Sequence, residues 1–216
     1  MVKRGDERGL PQAVCCYDTD VVGRLLLTAD DRGLTGCHFV RGRFLPEGLA
    51  EFGEDAADGA AHDSAFAEVE VWGLPAFTEV RAQELPAFAE ACAWLDHYFA
   101  GEAPDPRELD LVPVGTPFQQ AVRSAMLEIP YGRTATYGDL ARRLEELTGR
   151  RQSAQAVGQA VGRNPFCIMV PCHRVMGAAG NLTGFGGGIQ AKLALLELEG
   201  VDTAAFRWPA HGPWGR

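Results

Sequence analysis

Between residues 101 and 106 the chain breaks a helical pattern with Gly101, Pro104, Asp105 and Pro106. Glycine and proline both oppose helix continuation, and a polar stretch of this kind usually links compact units. The chain is therefore read as two modules, residues 1–105 and 106–216. Charge divides at nearly the same place. Within a formal net charge of −9, residues 1–113 carry −13 and residues 114–216 carry +4. The acidic total argues against a nucleic-acid partner, but the basic second half can approach phosphates.

At 216 residues and 46% hydrophobic content, the chain can build one sizeable core or two small ones. It has no apolar run long enough to span a membrane. Residues 1–10 are charged and lack the apolar segment of a secretory signal, so a cytoplasmic protein is expected. The six cysteines form no C-x-x-C pair and are expected to be free thiols in a reducing compartment. Cys15, Cys16, Cys37, His38 and His62 do not have the spacing of a zinc site, and no metal is expected.

In the first module, residues 13–17, 23–29 and 34–40 are apolar runs separated by Asp/Gly turns, as in a meander of strands. Residues 41–65 are acidic and aperiodic, which predicts a loop, and residues 67–72 alternate as a further strand. Leu85, Phe88, Cys92, Leu95 and Phe99 then recur at helical spacing on one face. The first module thus reads as a small antiparallel sheet plus a helix.

The second module reads as mostly α. Thr116-Pro117-Phe118-Gln119 is a capping box with proline at the first helical position. A second helix starts at Thr136 and runs to about residue 147. Ser153 can cap a third, built of Ala, Val, Gly and Gln over 154–162. Two short helices about a Gly-containing turn resemble a winged helix-turn-helix-like DNA-binding element, although an Ala/Gly stripe serves tight helix packing equally well. Residues 164–175 form a buried, strand-like run with two prolines. Six of the twelve residues from 177 to 188 are glycine, and a last helix covers 191–199.

Cys172 is followed directly by His173 and Arg174. A thiolate is the nucleophilic form of cysteine, and imidazole or cationic neighbours favour it. Glu199 on the last helix can fix the imidazole tautomer, as the acid does in any Cys-His-acid triad. Taken alone, a Cys-His dipeptide is more often structural.

The run Pro171-Cys172-His173-Arg174-Val175 resembles the active-site signature of the methylated-DNA–protein-cysteine methyltransferase family. The resemblance extends from Thr116 to Glu199 through Gly132, Thr136-Tyr137, Ala156-Val157-Gly158, Asn164-Pro165, Gly184-Phe185-Gly186-Gly187, Lys192 and Leu195-Leu196. It implies direct-reversal repair, in which an alkyl group on guanine O6 (or thymine O4) of double-stranded DNA passes once and for good to Cys172. His173 would deprotonate Cys172 through a bound water, Glu199 would orient His173, and Tyr137 would supply a proton to the departing guanine. Asn164 would brace the turn between the DNA-reading helix and the active-site strand, residues 177–187 would wall the pocket for a flipped base, and Asn164, Val170, Met176, Gly177, Gly184, Phe185, Gly186 and Lys192 would line it. Thr136, Arg151, Ser153, Gln155, Ala156, Gly158, Arg163 and Arg174 would contact DNA. No cofactor and no obligate protein partner are implied. Two positions depart from the family: Gln155 stands where an arginine usually fills the gap left by the flipped base, and Cys167 stands where proline is common. A non-catalytic lesion-binding protein and a Cys-His-Glu hydrolase remain as alternatives. The first is disfavoured by the presence of Cys172, the second by the lack of an identifiable oxyanion hole.

Overall fold

The computed structural model describes residues 12–40, 45, 49 and 77–208. The three apolar runs form an antiparallel meander of β1 (Gln12–Thr19), β2 (Gly23–Asp30) and β3 (Gly33–Phe39), in register through Cys15 opposite Leu27 and Leu27 opposite Cys37. A short β4 (Phe77–Glu79) pairs in parallel with the free edge of β1, giving the order β3-β2-β1-β4. The strand expected at 67–72 and most of the loop expected at 41–65 lie outside the described residues.

Helix α1 (Pro86–Phe99) buries Phe88, Ala91, Leu95 and Tyr98 completely. Of the apolar face expected there, Leu85, Cys92 and Phe99 are only partly buried. Both stripes satisfy three- and four-residue steps. Moving from Cys92 to Ala91 and from Phe99 to Tyr98, with Phe88 and Leu95 shared, turns the centre of the buried stripe by about 50°. That rotation aims Tyr98 at the second half of the molecule.

The second half contains α2 (Pro117–Leu127), α3 (Tyr137–Thr148), α4 (Ala154–Gly162) and α5 (Gly188–Leu198). The starts of α2 and α3 are reciprocal capping boxes, Thr116 with Gln119 and Thr136 with Asp139. Each satisfies two backbone donors that a helix start leaves unpaired. Gly149, at φ 68°, ends α3, and Ser153 caps α4 by accepting from the Ala156 amide. Beside this helix pair, β5 (Ala135–Thr136) runs parallel to β6 (Val175–Met176).

The outer edge of β3 is covered by two segments of the second half. The Leu34 amide donates to Asp110 O and the Val112 amide to Leu34 O; further along, the Cys37 amide donates to Pro165 O and the Cys167 amide to Cys37 O. An open edge is thereby paired. At Gly33, φ is 135° and a Cβ would lie 2.7 Å from Asp110 O, so this close approach needs glycine.

Residues 164–175 are buried as expected but are not a strand. Only Phe166 bridges to β3, at Cys37. Pro165 and Pro171 lack the amides a ladder needs, and Ile168 takes φ 72°, an unfavourable left-handed conformation for a β-branched residue. The segment is a compact turn fastened to the edge of the first half's sheet.

After α5, residues 201–208 fold back on the glycine-rich loop. The Leu182 amide donates to Arg207 O and the Arg207 amide to Gly180 O, while Phe206 and Trp208 pack on Met176, Leu182, Ile189 and Leu196. Among the described residues, no helix is long and apolar enough to cross a membrane.

Candidate active site

Asn164 holds the strained turn closed. Its Nδ2 donates to Phe166 O at 3.1 Å and to Val170 O at 2.9 Å, and its Oδ1 accepts from the Phe166 amide at 3.2 Å. Three bonds from one buried side chain offset a strained residue that costs on the order of 1–3 kcal/mol. The turn delivers Cys172 to the first position of a single 3-10 turn, Cys172–Arg174. Cys172 is 6% exposed, at the wall of a cleft also lined by Tyr137, Gly158, Asn164, Cys167 and Phe185.

The surroundings of Cys172 favour its thiolate. Contact with the Cys167 thiol lowers its pKa most; burial opposes this, and Asn164 and the Lys192 ammonium lower it further. The same contact and burial push the Cys167 thiol up. Cys167 Sγ itself donates to Asn164 O at 4.0 Å. Lys192 is 1% exposed and donates to Val175 O at 2.6 Å; burial lowers its pKa to about 8.

His173 and Glu199 meet as expected. Nε2 of His173 lies 2.6 Å from Glu199 Oε1, with both side chains wholly buried. With Nε2–H donated to the carboxylate, the lone pair is on Nδ1, which is buried and makes no hydrogen bond to protein. Burial lowers the His173 pKa, Glu199 opposes that, and Arg174 and Lys192 lower it further. The ring is therefore neutral near pH 7 and able to take a proton. Burial alone would raise the Glu199 pKa, but His173 and Arg174 bring it down to about 2. Its two oxygens accept from His173, Arg174 (twice), Tyr98 and the Gly132 amide.

Arg174 corrects the expectation that it contacts DNA. It is 8% exposed, and its guanidinium is committed internally to Glu199 and to Ile129 O at 2.8 Å, 5.5 Å over the Tyr131 ring. No phosphate can reach a fork already used in this way.

Tyr137, at the start of α3, points its hydroxyl to Thr183 Oγ1 at 2.9 Å, and burial raises its pKa. Among the expected pocket residues, Asn164, Gly184, Phe185 and Gly186 line the cleft. Val170, Met176, Gly177 and Lys192 do not; they are buried behind it. Arg151, Ser153, Gln155 and Arg163 are exposed on or beside α4, whereas Thr136 and Ala156 are half-buried. Gly158 faces the cleft and packs toward the Tyr137 ring.

Three participants lie outside the expected set, and a fourth, Thr183, falls within the expected wall 177–187 without an assigned role. Tyr98 reaches Glu199 from α1, Thr183 holds Tyr137, Cys167 touches Cys172, and Phe39 meets the Phe185 ring edge-on with centroids 5.4 Å apart. The two departures of Cys167 and Gln155 from the family pattern were visible in sequence; the long-range contacts of Phe39 and Tyr98 were not. Among the described residues, no group of three or more His, Cys, Asp or Glu could hold a metal ion. His62 lies outside them.

A family profile described as "6-O-methylguanine DNA methyltransferase, DNA binding domain" matches residues 117–201. A methylated-DNA–protein-cysteine methyltransferase of Mycobacterium leprae is 56% identical over 111 residues, covering 51% of this chain and 64% of that protein. The match therefore spans less than two thirds of that relative's length. One from Methanosarcina acetivorans is 49% identical over 111 residues, covering 51% of this chain and 68% of that protein. Among solved structures, Mycobacterium tuberculosis OGT in complex with DNA aligns with a TM-score of 0.65 and 36% identity, over 87% of this chain and 93% of that one. An O6-methylguanine-DNA methyltransferase from Pyrococcus kodakaraensis aligns at 0.55 with 26% identity, over 88% and 99% of the two chains.

Proposed function

The chain belongs to the methylated-DNA–protein-cysteine methyltransferase family, and from that premise we propose that it repairs O6-alkylguanine in double-stranded DNA by moving the alkyl group to its own Cys172. The observation that carries this reading is the buried hydrogen-bonded pair Glu199–His173 next in sequence to Cys172, a thiol with thiolate-favouring neighbours in the wall of a cleft. His173 Nδ1, which makes no direct hydrogen bond to Cys172, takes its proton through an intervening water, and Glu199 stabilises the imidazolium. The thiolate attacks the alkyl carbon and forms the S–C bond as the C–O6 bond breaks. Its electron pair leaves with guanine, which takes a proton from the Tyr137 hydroxyl. The thioether is a poor leaving group, so each chain acts once.

The alkyl carbon of a stacked guanine is out of reach of a buried thiol, and the nucleotide must leave the helix to enter the cleft. Gly184 and Gly186 at its mouth allow close approach of a base, with Phe185 and Asn164 as walls. The exposed Arg151, Ser153, Gln155 and Arg163 would face the duplex, with α4 as the reading helix. Residues 1–105 and 106–216 are taken as two domains, the second carrying acceptor and DNA surface. The six unpaired cysteines support a cytoplasmic setting.

Intact-mass measurement after incubation with duplex DNA containing O6-methylguanine tests the reading. One addition of about 14 Da per chain, mapped to Cys172 and absent in Cys172→Ala, is expected. Repeated turnover without adduct would instead identify a hydrolase. Binding without adduct would identify a lesion-binding protein.

A further inference from the structure

Tyr98 is contributed by α1, in the half of the chain that carries none of the residues assigned above to catalysis or DNA contact. It is 0% exposed. Its ring stacks on Trp94 at 5.5 Å and meets the Tyr131 and His173 rings edge-on. Its hydroxyl donates to Glu199 Oε1 at 2.7 Å and lies 3.3 Å from His173 Nε2. Because Nε2–H is directed at the same oxygen, the hydroxyl proton has only Oε1 to go to. Oε1 then receives His173, Tyr98 and, at 3.0 Å, Arg174 Nη2.

We propose that Tyr98 is a positioning residue for alkyl transfer: its hydroxyl fixes Glu199 Oε1 against His173 Nε2 and draws off part of the carboxylate's charge, so that His173 remains a neutral base. A bare carboxylate 2.6 Å from a buried imidazole would favour imidazolium, which has no lone pair to accept the Cys172 proton. A hydrogen-bond donor on the same oxygen weakens that pull without adding charge. The charged and titratable groups around His173 enter this balance: Glu199 after α5, Arg174 beside it, Lys192 on α5, Cys172 before it, and the Tyr98 phenol, with the Tyr131 phenol behind Tyr98. Among them Tyr98 is the neutral donor aimed at the shared oxygen. The first half of the chain thus supplies a side chain to the chemistry as well as a sheet edge to the turn.

This inference rests on Cys172 being the alkyl acceptor, and two readouts on full-length protein separate the two. The first is the pH profile of benzyl transfer from free O6-benzylguanine, for the native protein, Tyr98→Phe, and protein carrying 3,5-difluorotyrosine at position 98, a stronger donor. The second is the titration of the His173 ring nitrogens by NMR in the same proteins, which needs no transfer. In Tyr98→Phe the acid limb and the His173 titration should move up by about half a pH unit, roughly threefold in the protonation equilibrium. In the fluorinated protein both should move down. The high-pH rate should stay within about threefold, on the scale of one hydrogen bond. A loss of rate that is equal at every pH, with the His173 titration unmoved, means that Tyr98 only packs, and overturns the proposal. If Tyr98→Phe does not fold, the fluorinated protein, which keeps the ring, decides alone. Native protein that transfers no benzyl group while its His173 titration responds to position 98 would sink the proposed function and leave the Tyr98 linkage standing.

Discussion

Arg174 and Glu199 are joined by two hydrogen bonds in a fork, Nε to Oε2 at 2.8 Å and Nη2 to Oε1 at 3.0 Å, and both side chains are buried. A lysine cannot reproduce that geometry, because its ammonium is a point donor on a flexible stem. Arg174→Lys should therefore lower unfolding stability by about 2 kcal/mol, the value of a charge-assisted bond lost in a dry site. The slope of DNA affinity against salt should not change, because no phosphate contact is lost. Denaturant melts and a salt series of DNA binding check the two halves of this statement. A shallower slope with unchanged stability would return Arg174 to the DNA surface.

Glu199 makes stability depend on acid. Its pKa stands near 2 in the folded chain against an ordinary 4.5. The unfolded chain therefore binds the proton more readily than the folded one between those values. The resulting stability, on the order of 3 kcal/mol, is complete above about pH 4.5 and is lost as pH falls toward 2. His173, lowered from 6.5, acts with the same sign: folded stability also declines as pH falls below that value. Glu199→Gln should be less stable at neutral pH and should lose less stability than the native protein between pH 4.5 and 2, the remaining loss coming from Asp30, Asp105, Glu128 and Asp139, as measured by urea midpoints across the range. A native protein whose midpoint is flat over that interval would contradict the assignment.

The Cys167 thiol lines the same cleft as Cys172, and its proximity lowers the Cys172 pKa more than any other cause. Removing that thiol in Cys167→Ala should raise the Cys172 pKa and slow its carbamidomethylation at neutral pH several-fold. At high pH, where the thiol ionises without help, the rate should recover. A rate profile for iodoacetamide, followed by peptide mapping of Cys172, reports this directly. If the two profiles superimpose, Asn164 and Lys192 alone set the thiolate.

The parts of this arrangement that could be read in advance are those carried by short stretches of sequence. Thr116 with Gln119 and Ser153 before Ala154 mark helix starts because capping is completed within four residues. Cys172, His173 and Glu199 were legible through the family signature. Tyr98 was not, since its partners lie 75 and 101 residues away and its helix offered two apolar stripes of equal periodicity. The aromatic pair Trp94 and Tyr98 at i, i+4 was the available signal, a buried ring with a polar tip that needs a partner. The run at 164–175 has a strand-like sequence because its hydrophobicity reports burial and not conformation. Pro165, Pro171 and the Asn164 bonds decide its conformation. β4, β5 and β6 are two or three residues long and carry no period of their own.

Gln155 lies exposed in the first turn of α4, where the family resemblance places an arginine that fills the gap left by a flipped base. A side chain inserted there offsets the loss of stacking. Arginine does so with a long stem, a planar face and several donors, whereas glutamine is shorter and uncharged. Flipping should therefore be less favourable by about 1–3 kcal/mol, on the scale of base stacking. Duplex repair should be slow while reaction with free O6-benzylguanine, which needs no flipping, proceeds normally, and Gln155→Arg should accelerate duplex repair alone. Arg151 and Arg163 are the exposed alternatives. Arg163 sits eight residues along the helix from Gln155, roughly 12 Å away at the helical rise, while Arg151 precedes the Ser153 cap on the same end. Arg151 is thus the better placed substitute. Rates on duplex and free base for Gln155→Arg, Arg151→Ala and Arg163→Ala decide among them. If Gln155→Arg changes nothing and Arg151→Ala fails on duplex but not on free base, the insertion role belongs to Arg151 and the glutamine is a bystander.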